Sequence, residues 1–165
     1  MKKVKYFIIF VVLLSLAGCS AYEVNKNENK IIIDKINING EYKIQSKNEK
    51  IREIVMFEEC GRPNIKNSNV VIGAHSGNSG YAYFNEIDKL EIDDKIILYY
   101  NNKKYVYLVE EVKEVKDTEV SVLNNQDKSM LTLLTCKIND SSKRIVVIGI
   151  LENTGKNWHM TKCQL

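Results

Sequence analysis

One thiol, one imidazole and one guanidinium stand at the ends of three β-rich apolar runs in this chain. Cys136 closes the run Leu131-Thr132-Leu133-Leu134-Thr135-Cys136. His75 follows Val70-Val71-Ile72 across Gly73-Ala74, and Arg144 directly precedes Ile145-Val146-Val147-Ile148. These are the parts of a covalent acyl-transfer site: a sulfur nucleophile, an acid–base ring, and a permanent cation for a developing oxyanion. An extended run holds its backbone rigid and delivers its last side chain at a strand end, where a substrate can meet it. The choice of imidazole is narrow, because the chain has only 2 histidines. The other, His159, lies in the tail Asn157-Trp158-His159-Met160 with no strand before it. Arginine is scarce as well: Arg52, Arg62 and Arg144 stand against lysine everywhere else, so an arginine beside Lys143 favours a use for its multi-donor fork.

The elements that must hold these groups read as strands. Alternating or continuous apolar segments rich in Tyr, Val and Ile occur at 31–38, 41–45, 69–74, 95–100, 103–115, 130–136 and 144–151. Asn101-Asn102 predicts a tight hairpin turn between two of them. Short helices are predicted at 48–56 and 83–89. Many strands at short spacing with little helix predict an all-β chain, a closed or nearly closed barrel. With 165 residues the chain supports one domain with a modest core.

The three motifs resemble the sortases, cysteine transpeptidases that attach proteins to the surface of Gram-positive bacteria. Thr132-Leu133-Leu134-Thr135-Cys136 matches the family's Thr-Leu-x-Thr-Cys strand, and Lys143-Arg144-Ile145-Val146-Val147 matches its arginine strand. The histidine element reads Gly73-Ala74-His75 where most members read Ala-Gly-His. Asp34-Lys35-Ile36-Asn37-Ile38 resembles the opening strand, without the customary proline, and Phe84-Asn85-Glu86-Ile87-Asp88-Lys89-Leu90 resembles the family's short helix. The similarity runs from about Ile36 to Leu151. It implies an eight-stranded sortase-like barrel with one or two short helices. The segment 116–129 is short, without the long helix of class B members, and no lid with an Asp-aromatic pair is visible. The chain therefore looks closest to class A or D.

The resemblance implies Cys136 as nucleophile, His75 as general acid and base, and Arg144 as the group that steadies the oxyanion or the peptide backbone. It implies a groove for a Leu-Pro-x-Thr-Gly-like sorting signal lined by Val120, Val122, Leu123 and Leu134, residues that ordinary barrel packing would explain as well. Thr135 either braces the site through its hydroxyl or simply packs. Glu58 and Glu59 fall near the calcium site of some class A members, but Asn67-Ser68-Asn69 offers no acidic partner, and calcium takes six or more oxygens. No required metal and no cofactor are expected. His159 and Cys163 alone do not make a zinc site.

The net charge of +3 resides in Lys2, Lys3 and Lys5, since residues 1–18 hold no acid and the remainder balances to zero. A neutral body without a basic patch excludes nucleic acid as a partner. Met1–Lys5, then an apolar run from Tyr6 to Leu14, reads as a targeting segment, shorter than the ~20 residues a membrane span prefers. Leu16-Ala17-Gly18-Cys19 resembles a lipobox, which would place lipid on Cys19; most sortases instead keep an uncleaved anchor, and both readings stand. Residues 1–19 are thus a signal or anchor segment, 20–30 a polar linker, 31–152 the catalytic barrel and 153–165 a tail. Of 4 cysteines, Cys19 and Cys136 have assigned uses; Cys60 and Cys163 could pair with each other, and the simpler reading is two unpaired thiols.

These expectations combine into a membrane-tethered cysteine transpeptidase on the extracellular face of the cell membrane. Its partners would be surface proteins bearing an LPxTG-like signal and an amine acceptor such as a peptidoglycan precursor. The same residues would equally serve a hydrolase that passes the acyl group to water. A barrel displayed as a lipoprotein for binding alone is the non-enzymatic alternative.

Overall fold

The computed structural model describes residues 29–152. Eight strands occur in chain order: β1 (Lys30–Ile33), β2 (Ile38–Gln45), β3 (Ile54–Phe57), β4 (Asn69–Gly73), β5 (Lys95–Tyr100), β6 (Lys103–Lys116), β7 (Met130–Lys137) and β8 (Asp140–Leu151). They form a closed barrel in the order β1-β2-β3-β4-β7-β8-β6-β5. Two neighbours run parallel, β2 with β3 and β4 with β7; the other pairs are antiparallel. The eight-stranded barrel expected from the sequence is the fold observed.

Side-chain alternation fills the interior. Ile31 and Ile33 of β1, Ile96 and Leu98 of β5, and Tyr107 and Val109 of β6 are buried while their neighbours are less so. β4 departs from this pattern, being buried at every position from Asn69 to Gly73. Its Val70 and Ile72, with Leu131 and Leu133 of β7, join the interior core. On the outer side a second cluster of Val122, Met130, Val146 and Ile148 is covered by the segment between β6 and β7. The strands that end at the candidate site are thus packed on both faces.

Several local expectations change. The single strand at 31–38 is β1 and the start of β2, separated by a 3-10 turn at Asp34–Ile36 that ends on left-handed Asn37 with φ 55°. The helix expected over 48–56 is instead an irregular segment leading into β3. Ile54 pairs with β2, Val55 and Met56 pair with β2 on one side and β4 on the other, and this ladder overrides local spacing. The helix at 83–89 reduces to a 3-10 turn at Ile87–Lys89, held by burial of Phe84 and Ile87. The Asn101-Asn102 hairpin is present, with φ of 49° and 60° as its twist requires. Cys19, the linker up to residue 28, and the tail with His159 and Cys163 lie outside the described residues. Among the described residues no helix is long and apolar enough to cross a membrane.

Candidate active site

β7 delivers the thiol. In its register with β8, Cys136 lies opposite Arg144, and a tight turn carrying Asn139 at φ 67° joins the strands just beyond. In the parallel register with β4, Gly73 lies opposite Leu134, so the residues two further along each strand, His75 and Cys136, leave the barrel side by side. Three hydrogen bonds stitch these ends. The Ala74 N–H donates to the Leu134 carbonyl at 3.4 Å, the Thr135 hydroxyl to the Ala74 carbonyl at 2.8 Å, and the Ser76 hydroxyl to the Cys136 carbonyl at 2.5 Å. Sulfur, imidazole and guanidinium therefore stand at one mouth of the barrel. Cys136 and Arg144 are half-buried and His75 is exposed.

The imidazole is held from a third direction. His75 Nε2–H donates to the Ile51 carbonyl at 2.9 Å, tying the ring to the segment that enters β3. A carbonyl only accepts, so the proton on this nitrogen is fixed and Nδ1 is the nitrogen left for another partner. Arg144 Nη1 donates to the carbonyls of Ser141 and Lys143 at 2.8 and 2.9 Å. No carboxylate pairs with Arg144 among the described residues. Glu114, the acid nearest in the β6–β8 register, is instead held by Lys137 and Lys143. Their hydrogen bonds keep its carboxyl below the ordinary carboxylate range, and Glu114 in turn raises Lys143. Cys60 lies away from this mouth, and burial pushes its thiol up, toward the inert form.

The residues expected to line a groove are placed as follows. Val122 is buried, and Leu123 and Leu134 pack against its cluster on the outer face of β7. Leu134 shares that face with Cys136 by strand alternation. Val120 is 65% exposed and stands outside the cluster. Thr135 is buried, and its hydroxyl is spent on the bond to Ala74. Among the described residues no group of three or more His, Cys, Asp or Glu side chains is arranged to hold a metal.

Sequence reasoning missed the residue that ties β4 to the segment between β6 and β7. Asn69, fully buried at the start of β4, donates through Nδ2 to the carbonyls of Val122 at 3.0 Å and Asn124 at 3.3 Å. Its Oδ1 accepts from the Thr132 hydroxyl at 2.8 Å, and its backbone N–H donates to Asn125 Oδ1 at 2.8 Å. All of its amide hydrogen-bonding groups are thereby engaged within the protein. The available signal was a polar residue opening an otherwise apolar, fully buried strand. The Gly73-Ala74 order also gains a reason: a Cβ on Gly73 would come within 2.9 Å of the Phe57 ring, while Ala74 turns its methyl into the core.

The likeness to known proteins agrees with this geometry. Sortase A of Listeria monocytogenes is 37% identical over 89 residues, 53% of this chain and 40% of that protein. The chain spans less than half the length of the curated relatives it matches. Sortase C1 of Streptococcus agalactiae superposes with TM-score 0.69 at 23% identity, covering 77% of this chain and 68% of that one. A Clostridium perfringens sortase C, solved with the C-terminal cell wall sorting motif, superposes with TM-score 0.68 at 28% identity, covering 75% and 69%. The Sortase domain family model matches residues 30–152, the whole barrel with its three strand-end groups, and the chain belongs to the sortase family.

Proposed function

We propose that this chain is a cysteine transpeptidase that cuts a Leu-Pro-x-Thr-Gly-like sorting signal between Thr and Gly. Cys136 passes its proton to His75 Nδ1 as its sulfur attacks the threonine carbonyl carbon, and Arg144 steadies the oxygen as it takes negative charge. The C–N bond breaks, His75 gives a proton to the departing glycine amine, and a thioester on Cys136 remains. An acceptor amine then attacks the thioester, giving its proton to His75 and expelling the thiolate. The observation that carries this reading is the register that pairs Cys136 with Arg144 on one side and, on the other, Leu134 with Gly73, two residues before Cys136 and His75 respectively. The family match and the likeness to an enzyme solved with a sorting motif support it.

The substrates in this reading are surface proteins bearing the signal, and the acceptor is an amine of a cell-wall precursor or of another protein. Residues 1–19 act as signal or anchor, by lipid on Cys19 or by the apolar run, and 20–30 as a linker. The barrel then works on the outer face of the cell membrane. Val122, Leu123 and Leu134 form the apolar side of the signal's groove, with Val120 at its rim.

The test incubates the protein with a panel of Leu-Pro-x-Thr-Gly-type peptides, with and without amines, and follows mass. A peptide thioester on Cys136 and an amine-dependent ligated product are expected. Hydrolysis at an unchanged rate with every amine present would make the enzyme a hydrolase. No adduct with any peptide, in protein whose Cys136 is free, would end the reading.

A further inference from the structure

An open cleft of about 530 Å³ adjoins His75, lined also by Lys50, Arg52, Ser76, Ser79 and Tyr81. The Ile51 carbonyl that accepts from His75 Nε2–H sits between the two cations, so the ring is tied to the cationic segment itself. Neither Lys50 nor Arg52 has an acidic partner among the described residues. Of three neighbouring acids, two are engaged elsewhere and the third does not line the cleft. Glu53 pairs with Lys43 at 2.5 Å, Glu59 accepts from the Ser46 hydroxyl and the Lys47 N–H, and Glu49 does not line the cleft. Two cations without acidic partners, the Ser79 hydroxyl and an exposed phenol around one concavity favour an oxyanion.

In the transpeptidase reading, on which this inference rests, the acceptor amine must reach the thioester within proton-transfer distance of His75. The cleft that shares His75 is a route for it. We infer that this cleft is the acceptor subsite, and that the acceptor is an amine carrying an oxyanion, carboxylate or phosphate, which Lys50 and Arg52 hold. The amine nitrogen attacks the thioester carbonyl, its proton passes to His75, and the cations take no part in bond making. Their contribution is to concentrate and orient the acceptor.

The experiment offers three small acceptors to the full chain acylated by a sorting peptide: ethanolamine, β-alanine and aminoethyl phosphate. Ligated and hydrolysed products are counted by mass spectrometry. Hydrolysis without amine reports acyl-enzyme turnover separately. The anionic amines are expected to exceed ethanolamine in aminolysis by about threefold or more, the scale two exposed charges supply. The advantage shrinks in high salt. It disappears in the Lys50→Gln/Arg52→Gln double variant. A β-alanine advantage without one for aminoethyl phosphate assigns the site to carboxylates, and the reverse assigns it to phosphates. Equal use of charged and neutral amines by a turning-over enzyme would overturn the subsite, as would an advantage that survives the double substitution. Titrating aminoethyl phosphate into unacylated protein and following the His75 ring signals by NMR reads the cleft without turnover. A saturable shift lost in the double variant supports the subsite even if no peptide acylates Cys136, and no shift sinks it.

Discussion

Cys136 and Arg144 are cross-strand partners joined through the turn of a single hairpin. The distance between them is therefore set by a β ladder, and it does not depend on how any long loop settles. Replacing Arg144 should leave the ladder in place and remove the cation together with its hydrogen bonds to the Ser141 and Lys143 carbonyls. Arg144→Ala is expected to lower transpeptidation kcat/KM by about 10²- to 10³-fold, as loss of one oxyanion donor does. Arg144→Lys should recover little of it, because a point charge does not reproduce the guanidinium fork. Steady-state kinetics with a peptide that acylates the parent enzyme, beside a thermal melt showing an intact fold, checks both.

Asn69 joins β4 to the covering segment at Val122, Asn124 and Asn125. Asn69→Ala leaves two carbonyls and the Thr132 hydroxyl without this partner, at a cost of about 1–3 kcal/mol. Thr132→Val removes one hydrogen bond at nearly constant volume and should cost less. Both should raise KM for the peptide more than they lower kcat, since the groove wall loosens while the strand-end groups keep their ladder. Denaturant melts and a separate reading of KM and kcat distinguish this from a general loss of folded protein.

Gly73 and Phe57 share one space. Gly73→Ala brings a methyl against the ring and is expected to cost about 1–3 kcal/mol. Combining it with Phe57→Leu, which removes the contacting ring atoms, should cost less than the two single changes added together. Additive free energies in a double-mutant cycle would show that the ring does not set the identity of residue 73.

Glu114 titrates below its ordinary value of 4.5 because Lys137 and Lys143 hold the charged form. A carboxylate depressed by folding adds stability above its unfolded value, and that addition is lost as pH falls through the lowered one. The parent protein should therefore melt slightly above Glu114→Gln at neutral pH. The two curves should converge once pH drops below 4.5, and the gap should narrow with salt. A gap unchanged from neutral pH into acid would mean that packing, and not the charge, separates them.

The strand ends that carry the site were legible because each chemical group abuts a long apolar run whose extended form no neighbour alters. The apolar runs within β7 and β8 are continuous enough to mark Cys136 and Arg144 as the groups that flank them. What stayed hidden depends on pairing. β3 is four residues long and is extended because β2 and β4 flank it. Its Ile51–Ile54–Val55 spacing, read alone, fits one face of a helix. The break inside 31–38 follows from left-handed Asn37, which switches the phase of the isoleucines. The Asn69 bridge joins residues more than fifty positions apart in the chain, a relation that local pattern does not carry.

The closed circuit of strands also limits how a peptide can dock. Proteins that read extended ligands by adding them as a further strand need a border with unused N–H and C=O groups. Here β7 has β4 along one side and β8 along the other, and the ring has no such border elsewhere. In the proposed function, a bound sorting peptide would therefore lie across the barrel's outer wall and be recognised through side chains and the segments that overhang it, leaving selectivity free to change without disturbing the ladder beneath.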